Sequence, residues 1–169
     1  MTADPEVRVA LGIGSNLGDR LAHLQAALDR IGQARDVRVV GVSSIVESDP
    51  VGGPQQPRFL NAVVVVDTTL TPLQVLALAQ ECEHAAQRVR EVRWGPRTLD
   101  VDVLAYGDLV RDDPQLTLPH PLATARAFVL VPWAQVDPEF GLGGRRVIEW
   151  ARAAPDNGVR ESGLSWGES

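Results

Sequence analysis

The sequence predicts an α+β fold in which one antiparallel sheet carries helices, and three observations predict it. Four alternating or β-branched runs and two amphipathic helical segments follow the order β-α-β-β-α-β. The links between them are short, and no internal repeat or low-complexity block interrupts them. That order is the order of a ferredoxin-like sandwich, with both helices on one face of the sheet and the opposite face covered by loops or left as a site. The 169 residues suit one domain with a substantial core, spanning residues 1–154, and a Gly/Ser-rich tail over 155–169 that is expected to fray.

The elements justify themselves in turn. In VRVALGIG, Val9, Leu11 and Ile13 alternate with Ala10, Gly12 and Gly14, giving a strand with one bulky and one nearly bare face. GIGSNLG has neither dinucleotide-binding glycine spacing nor a Walker lysine, so it reads as a tight turn with Asp19 capping the first helix. Leu21, Leu24, Leu28 and Ile31 give that helix its apolar stripe, and Gly32 stops it. Val37–Ser48 reads as a second strand, Asp49–Arg58 as a Pro/Gly loop, and Phe59–Thr68 as a third strand. Thr71-Pro72 opens a helix running to about Arg88, with Cys82 on its apolar stripe as a core filler. Thr98–Tyr106 is the fourth strand. LTLPHP is a proline-pinned segment, ATARAFVLVPWAQV a helix cut by Pro132, and Arg145–Ala153 a short helix.

Composition narrows the function classes. Net charge of −6 and a pI near 5.0 argue against a nucleic-acid partner. No apolar run reaches the ~20 residues that span a bilayer, the opening MTADPEV lacks the features of a signal peptide, and the single cysteine fits a cytoplasmic setting. All 16 basic residues are arginine. Codon bias from a GC-rich genome is the plainer reading, but the consequence is chemical either way: no lysine is available for a P-loop or a Schiff base, so phosphate must be met by Arg, His, backbone N–H or metal.

RWGPRTLDVDVL concentrates the chemistry. Alternation places Asp100 and Asp102 on one strand face, about 7 Å apart at the backbone, opposite Leu99, Val101 and Val103. Two like charges at that spacing are eased by a cation, and an all-oxygen pair favours Mg²⁺. The plainer reading is a solvated strand face. Arg88, Arg90, Arg93 and Arg97 form a basic cluster beside the acids, which favours Mg–polyphosphate binding. In the third strand Phe59 and Asn61 share a side, so acids, aromatic, amide and bare glycines would together floor a pocket. His120, between Pro119 and Pro121, is either structural or an anion contact.

These residues resemble the 6-hydroxymethyl-7,8-dihydropterin pyrophosphokinase family. RWGPRTLDVDVL is similar to its signature, and GIGSNLGDR, FLNAVV, QECEHAAQRVR and LTLPHPLATARAFVLVPW follow in the expected order. The resemblance implies transfer of pyrophosphate from ATP to the pterin, with AMP released. It implies that Asp100 and Asp102 bind two Mg²⁺ ions, with Arg88 and Arg97 completing the catalytic set. Phe59 and Phe128 would sandwich the pterin, Asn61 would read its amide-like edge with groups near Pro50 and Val51, and Trp94 would close over it. Gln80, Glu83, Arg88, Arg90, Arg97, Val103, Thr117, His120 and Arg126 would meet ATP. A monomer without membrane or nucleic-acid partners is expected. The competing classes are a DxD sugar-nucleotide transferase, for which the chain is small, and a ferredoxin-like sensor domain, which needs neither the acids nor the arginines.

Overall fold

The computed structural model describes residues 5–49, 57–86, 98–155 and 158–167. Strand β1 (Val7–Ser15) leads through Gly18, whose φ of +71° suits glycine, to helix α1 (Arg20–Gln33). Asp19 caps that helix by accepting from the Ala22 N–H at 3.1 Å. Strands β2 (Val37–Val42), β3 (Val46–Ser48) and β4 (Phe59–Thr68) precede α2 (Pro72–Ala85), which opens on a Thr71–Gln74 capping box. Strand β5 (Asp100–Tyr106) completes the central order. Two short hairpin pairs follow: β6 (Arg111–Asp112) with β7 (Thr117–Leu118), and β8 (Gly141–Leu142) with β9 (Arg145–Arg146). Helices α3 (Ala127–Val136) and α4 (Val147–Ala153), strand β10 (Arg160–Glu161) and a 3₁₀ turn at Ala123–Ala125 complete the elements among the described residues.

The main sheet runs β10-β3-β4-β1-β5, with β2 on the same edge of β4 as β3. All its pairings are antiparallel, and its centre has the strand order of a ferredoxin-like sandwich. The second strand expected from sequence is thus split in two. Ser43 causes the break: its N–H donates to Val63 O and its Oγ accepts from the Val63 N–H, both at 2.9 Å, so a hydroxyl takes over one rung of the ladder.

Val9, Leu11, Ile13, Leu60, Ala62, Val64, Val101 and Val103 pack beneath α1 and α2, with Cys82 among them. Burial pushes the Cys82 thiol up to about 11, as befits an inert core filler. The opposite face differs from expectation. Helices α3 and α4 cover its far half through Ala10, Val63, Val65, Leu104, Leu130 and Trp133. Pro132 does not cut α3, which is continuous through it and buried along Val129, Leu130, Pro132 and Trp133; this burial offsets the backbone bond a mid-helix proline forfeits. The tail is also more ordered than expected, since β10 is the sixth strand of the main sheet.

Candidate active site

Sheet register assembles the candidate site at the end of this face that, among the described residues, α3 and α4 do not cover. Asp100 lies opposite Gly14 and Asp102 opposite Gly12 on β1, while Gly14 on its other side lies opposite Asn61 of β4. A row therefore runs Asp100–Gly14–Asn61 across three strands, and directly paired residues share a face. With strands spaced about 4.8 Å apart, the acid and the amide stand roughly 10 Å apart at the backbone. Gly14 keeps this row open: a Cβ there would lie 2.9 Å from Asn61 Oδ1, so the amide would have to shift, and 3.8 Å from Phe59 Cδ1. The bare face read from the sequence is the gap between acids and amide.

A β-bulge ends the acidic stretch. Register on β1 slips between Leu11↔Val103 and Ala10↔Ala105, leaving Leu104 as the extra residue. Asp100, Asp102, Leu104 and Ala105 consequently share one side, and Tyr106 turns to the helix side, where its hydroxyl donates to Leu70 O at 2.7 Å. Both acids remain half-buried. Among the described residues no three or more His, Cys, Asp or Glu side chains converge as a metal cluster. A divalent ion on the Asp100–Asp102 pair would take its remaining ligands from substrate oxygens and water. An oxygen donor set of this kind fits Mg²⁺, which keeps several waters and is commonly held by one or two carboxylates plus phosphates.

Asn61 is 6% exposed, and its Nδ2 donates to Ser48 Oγ at 2.7 Å. That bond leaves its Oδ1 directed toward Gly14. Phe59 shares the face of Asn61, and Phe128 belongs to α3, which packs on that same side. The guanidinium of Arg126 lies over the Phe128 ring, 5.5 Å from its centroid.

His120 follows the cis Leu118–Pro119 bond and is anchored by its N–H to Leu104 O on β5, 2.9 Å away. Its Nδ1 accepts from the Leu122 N–H at 3.2 Å, so the ring proton sits on Nε2. Burial first, and the charge of Arg126 second, hold its pKa below the usual histidine value. His120 is therefore a neutral Nε2–H donor near neutral pH. Thr117 is fixed in β7, its Oγ1 donating to Asp113 O at 3.4 Å.

On the other side of β5, a Glu83 carboxylate oxygen accepts from the Val101 N–H at 3.0 Å. Glu83 thereby clips α2 to the outer edge of the strand, between the two acids. Gln80, one turn earlier, is exposed. The Val103 side chain is buried in the core, which leaves only its main chain for any ligand contact. Ser48 was not singled out by sequence, because a serine in a short strand carries no signal until its partner is known. Pro50, Val51, Arg88, Arg90, Arg93, Trp94 and Arg97 lie outside the described residues.

Paired carboxylates on one face with Phe59 and Asn61, on an antiparallel α+β sheet, fit the class of small-molecule phosphotransfer enzymes. Comparison with known proteins gives the particular family. Residues 10–138 match the family described as 7,8-dihydro-6-hydroxymethylpterin-pyrophosphokinase (HPPK). A Pseudomonas aeruginosa protein named 2-amino-4-hydroxy-6-hydroxymethyldihydropteridine pyrophosphokinase is 44% identical over 153 residues, covering 90% of this chain and 94% of its own. A Mycobacterium tuberculosis protein of the same name is 50% identical over 141 residues, covering 78% and 73%. The chain belongs to the HPPK family. Its fold is also that of Plasmodium falciparum HPPK-DHPS solved with pterin and p-hydroxybenzoate, at TM-score 0.69 and 15% identity. The match covers 90% of this chain but only 44% of that longer one.

Proposed function

We propose that the protein transfers the pyrophosphoryl group of MgATP to the hydroxymethyl oxygen of 6-hydroxymethyl-7,8-dihydropterin, giving the pterin diphosphate and AMP. The observation that supports this reading is the Asp100–Gly14–Asn61 row, with an acid from the Asp100–Asp102 pair and the Asn61 amide on one face and a Cβ-free gap between them. Asp100 and Asp102 hold two Mg²⁺ ions. When bound, these supply charge neutralisation on the phosphates as the transfer proceeds. Arg88, Arg90 and Arg97, with Thr117, Arg126 and the neutral Nε2–H of His120, grip phosphate oxygens and neighbouring ATP atoms. Gln80, Glu83 and the main chain of Val103 meet the nucleotide.

Phe59 and Phe128 hold the pterin ring between them, a stack contributing about 1 kcal/mol beyond simple burial. Asn61 reads the amide-like edge together with main-chain groups of Pro50 and Val51, and Trp94 closes over the site and excludes water. The acceptor hydroxyl is thus aimed in line at the β-phosphorus. A loose transition state makes little demand on a general base, so positioning and charge account for the rate. The enzyme works as a cytoplasmic monomer, with neither nucleic acid nor membrane as partner. Incubation with MgATP and the pterin, followed by ³¹P NMR, tests the reading. AMP and a pterin diphosphate are expected, whereas ADP would make the protein an ordinary kinase.

A further inference from the structure

The family match ends at residue 138, yet residues 158–167 are stitched to the edge of the sheet that carries the pterin subsite. Strand β10 pairs with β3 through Arg160↔Glu47 and Glu161↔Val46. Beyond it, Ser162 donates twice to Ile45 O, from N at 3.1 Å and from Oγ at 2.7 Å. Trp166 donates from Nε1 to Ser43 O at 2.9 Å and packs against the main core, and the Gly167 N–H reaches Gln25 Oε1 at 2.7 Å. At the other end Gly158, at φ +75°, sits so close to Asp49 that a Cβ would lie 2.1 Å from its Oδ2. Only glycine combines that backbone with that approach.

What β3 does makes this lacing consequential. It is three residues long, and its partners are Val46↔Asn61, Glu47↔Leu60 and Ser48↔Phe59. Both side chains assigned to the pterin on β4 are thus in register with β3, and Ser48 Oγ fixes the Asn61 amide. So short a strand makes few ladder bonds with β4 and is weakly held by them alone. Its outer edge is occupied by β10, and Glu47 is gathered by three arginines: Arg160 of β10 at 3.4 Å, Arg58 just before β4 at 3.6 Å and Arg20 of α1 at 3.7 Å. None of these tail contacts reaches β5, where the two acids lie.

We propose that Gly158–Gly167 is a positioning element of the pterin subsite: by pairing with β3 it holds Ser48 against Asn61, so that pterin affinity depends on a segment beyond the family-matched region. The inference rests on the pterin reading of Asn61 and Phe59. The test uses full-length Ser162→Ala/Trp166→Ala, with Ser162→Ala and Ser162→Thr as milder companions. KM for pterin and for ATP, kcat from AMP release, and pterin Kd by calorimetry are measured beside near-UV circular dichroism. A rise in pterin KM and Kd of fivefold or more in the double variant is expected, with ATP KM and kcat within twofold. Ser162→Thr, which keeps the hydroxyl, should stay closer to wild type than Ser162→Ala. Unchanged pterin constants in a folded double variant would overturn the proposal, as would a parallel loss in both KM values and kcat, the mark of general destabilisation. Should the double variant lose its near-UV signal, Ser162→Ala alone decides by the same criteria. If the wild-type protein makes no AMP from these substrates, the functional reading fails instead.

Discussion

Replacing Gly14 with alanine probes the centre of the site. The three nearest atoms to the added Cβ all belong to β4: Asn61 Oδ1 at 2.9 Å, Leu60 O at 3.6 Å and Phe59 Cδ1 at 3.8 Å. Leu60 O and Phe59 Cδ1 lie at ordinary contact, so the strain falls on the Asn61 amide, which must shift. Its motion is opposed by the buried 2.7 Å bond to Ser48. Breaking that bond costs about 1–3 kcal/mol, the penalty for stranding a buried polar group. If the pterin edge loses the same amide, its affinity falls by a comparable amount, roughly 5- to 150-fold in Kd. Gly12→Ala is the control, because the three atoms nearest its Cβ all belong to the Leu104 side chain, at 3.4–3.6 Å. Calorimetric pterin Kd and AMP-release kinetics on both variants supply the comparison. Gly14→Ala should weaken pterin by at least fivefold with ATP KM near wild type, and Gly12→Ala by less than twofold. Equal pterin affinity in the two would refute the reasoning that Asn61 reads the pterin across a glycine gap.

Three further outcomes follow from the geometry. Glu83→Ala should lower stability by about 1–2 kcal/mol and reduce kcat, since the Val101 N–H between the two acids loses its acceptor, while Glu83→Gln keeps an acceptor and most of the stability; urea melts check this. The folded pKa of His120 lies below its unfolded value, so the unfolded chain takes up its proton first as pH falls. His120 therefore favours the fold fully above about pH 6.5 and loses that advantage as pH drops toward its folded pKa, and His120→Gln should flatten the pH dependence of the denaturation midpoint in that window. Cys82, buried with its thiol pushed up to about 11, should react with a thiol reagent orders of magnitude more slowly in native protein than in urea; rapid native labelling would contradict its core position.

The placement of the candidate residues was legible wherever side-chain alternation carried it. Period-2 reading placed Asp100 and Asp102 opposite Val101 and Val103, and Phe59 with Asn61, because a strand has only two faces. The first two helices were legible for the same kind of reason: Asp19 and Thr71-Pro72 are local signals acting within one turn. What escaped was non-local. Ser43 breaks the second strand by bonding Val63, 20 residues away. Gly41 leaves room for Val136 of α3, whose Cγ1 would lie 2.3 Å from a Cβ, and no window around Gly41 reports that. The tail looked like a fraying end because its Gly/Ser composition reads as such, while its anchors are bonds to Ile45, Ser43 and Gln25 more than 100 residues back. Coverage of the second face by α3 and α4 follows from tertiary packing that strand periodicity does not encode.

The proposed function assigns metal binding for the triphosphate to Asp100 and Asp102 and pterin binding to Asn61 and the aromatics. Calorimetric titration of Asp102→Asn with an unreactive ATP analogue, with and without Mg²⁺, and separately with pterin, tests it most directly. The account predicts that Mg²⁺-dependent tightening of the analogue is lost, while pterin Kd stays within about threefold of wild type. Retained Mg²⁺-dependent nucleotide binding in that variant, and equally in Asp100→Asn, would contradict it.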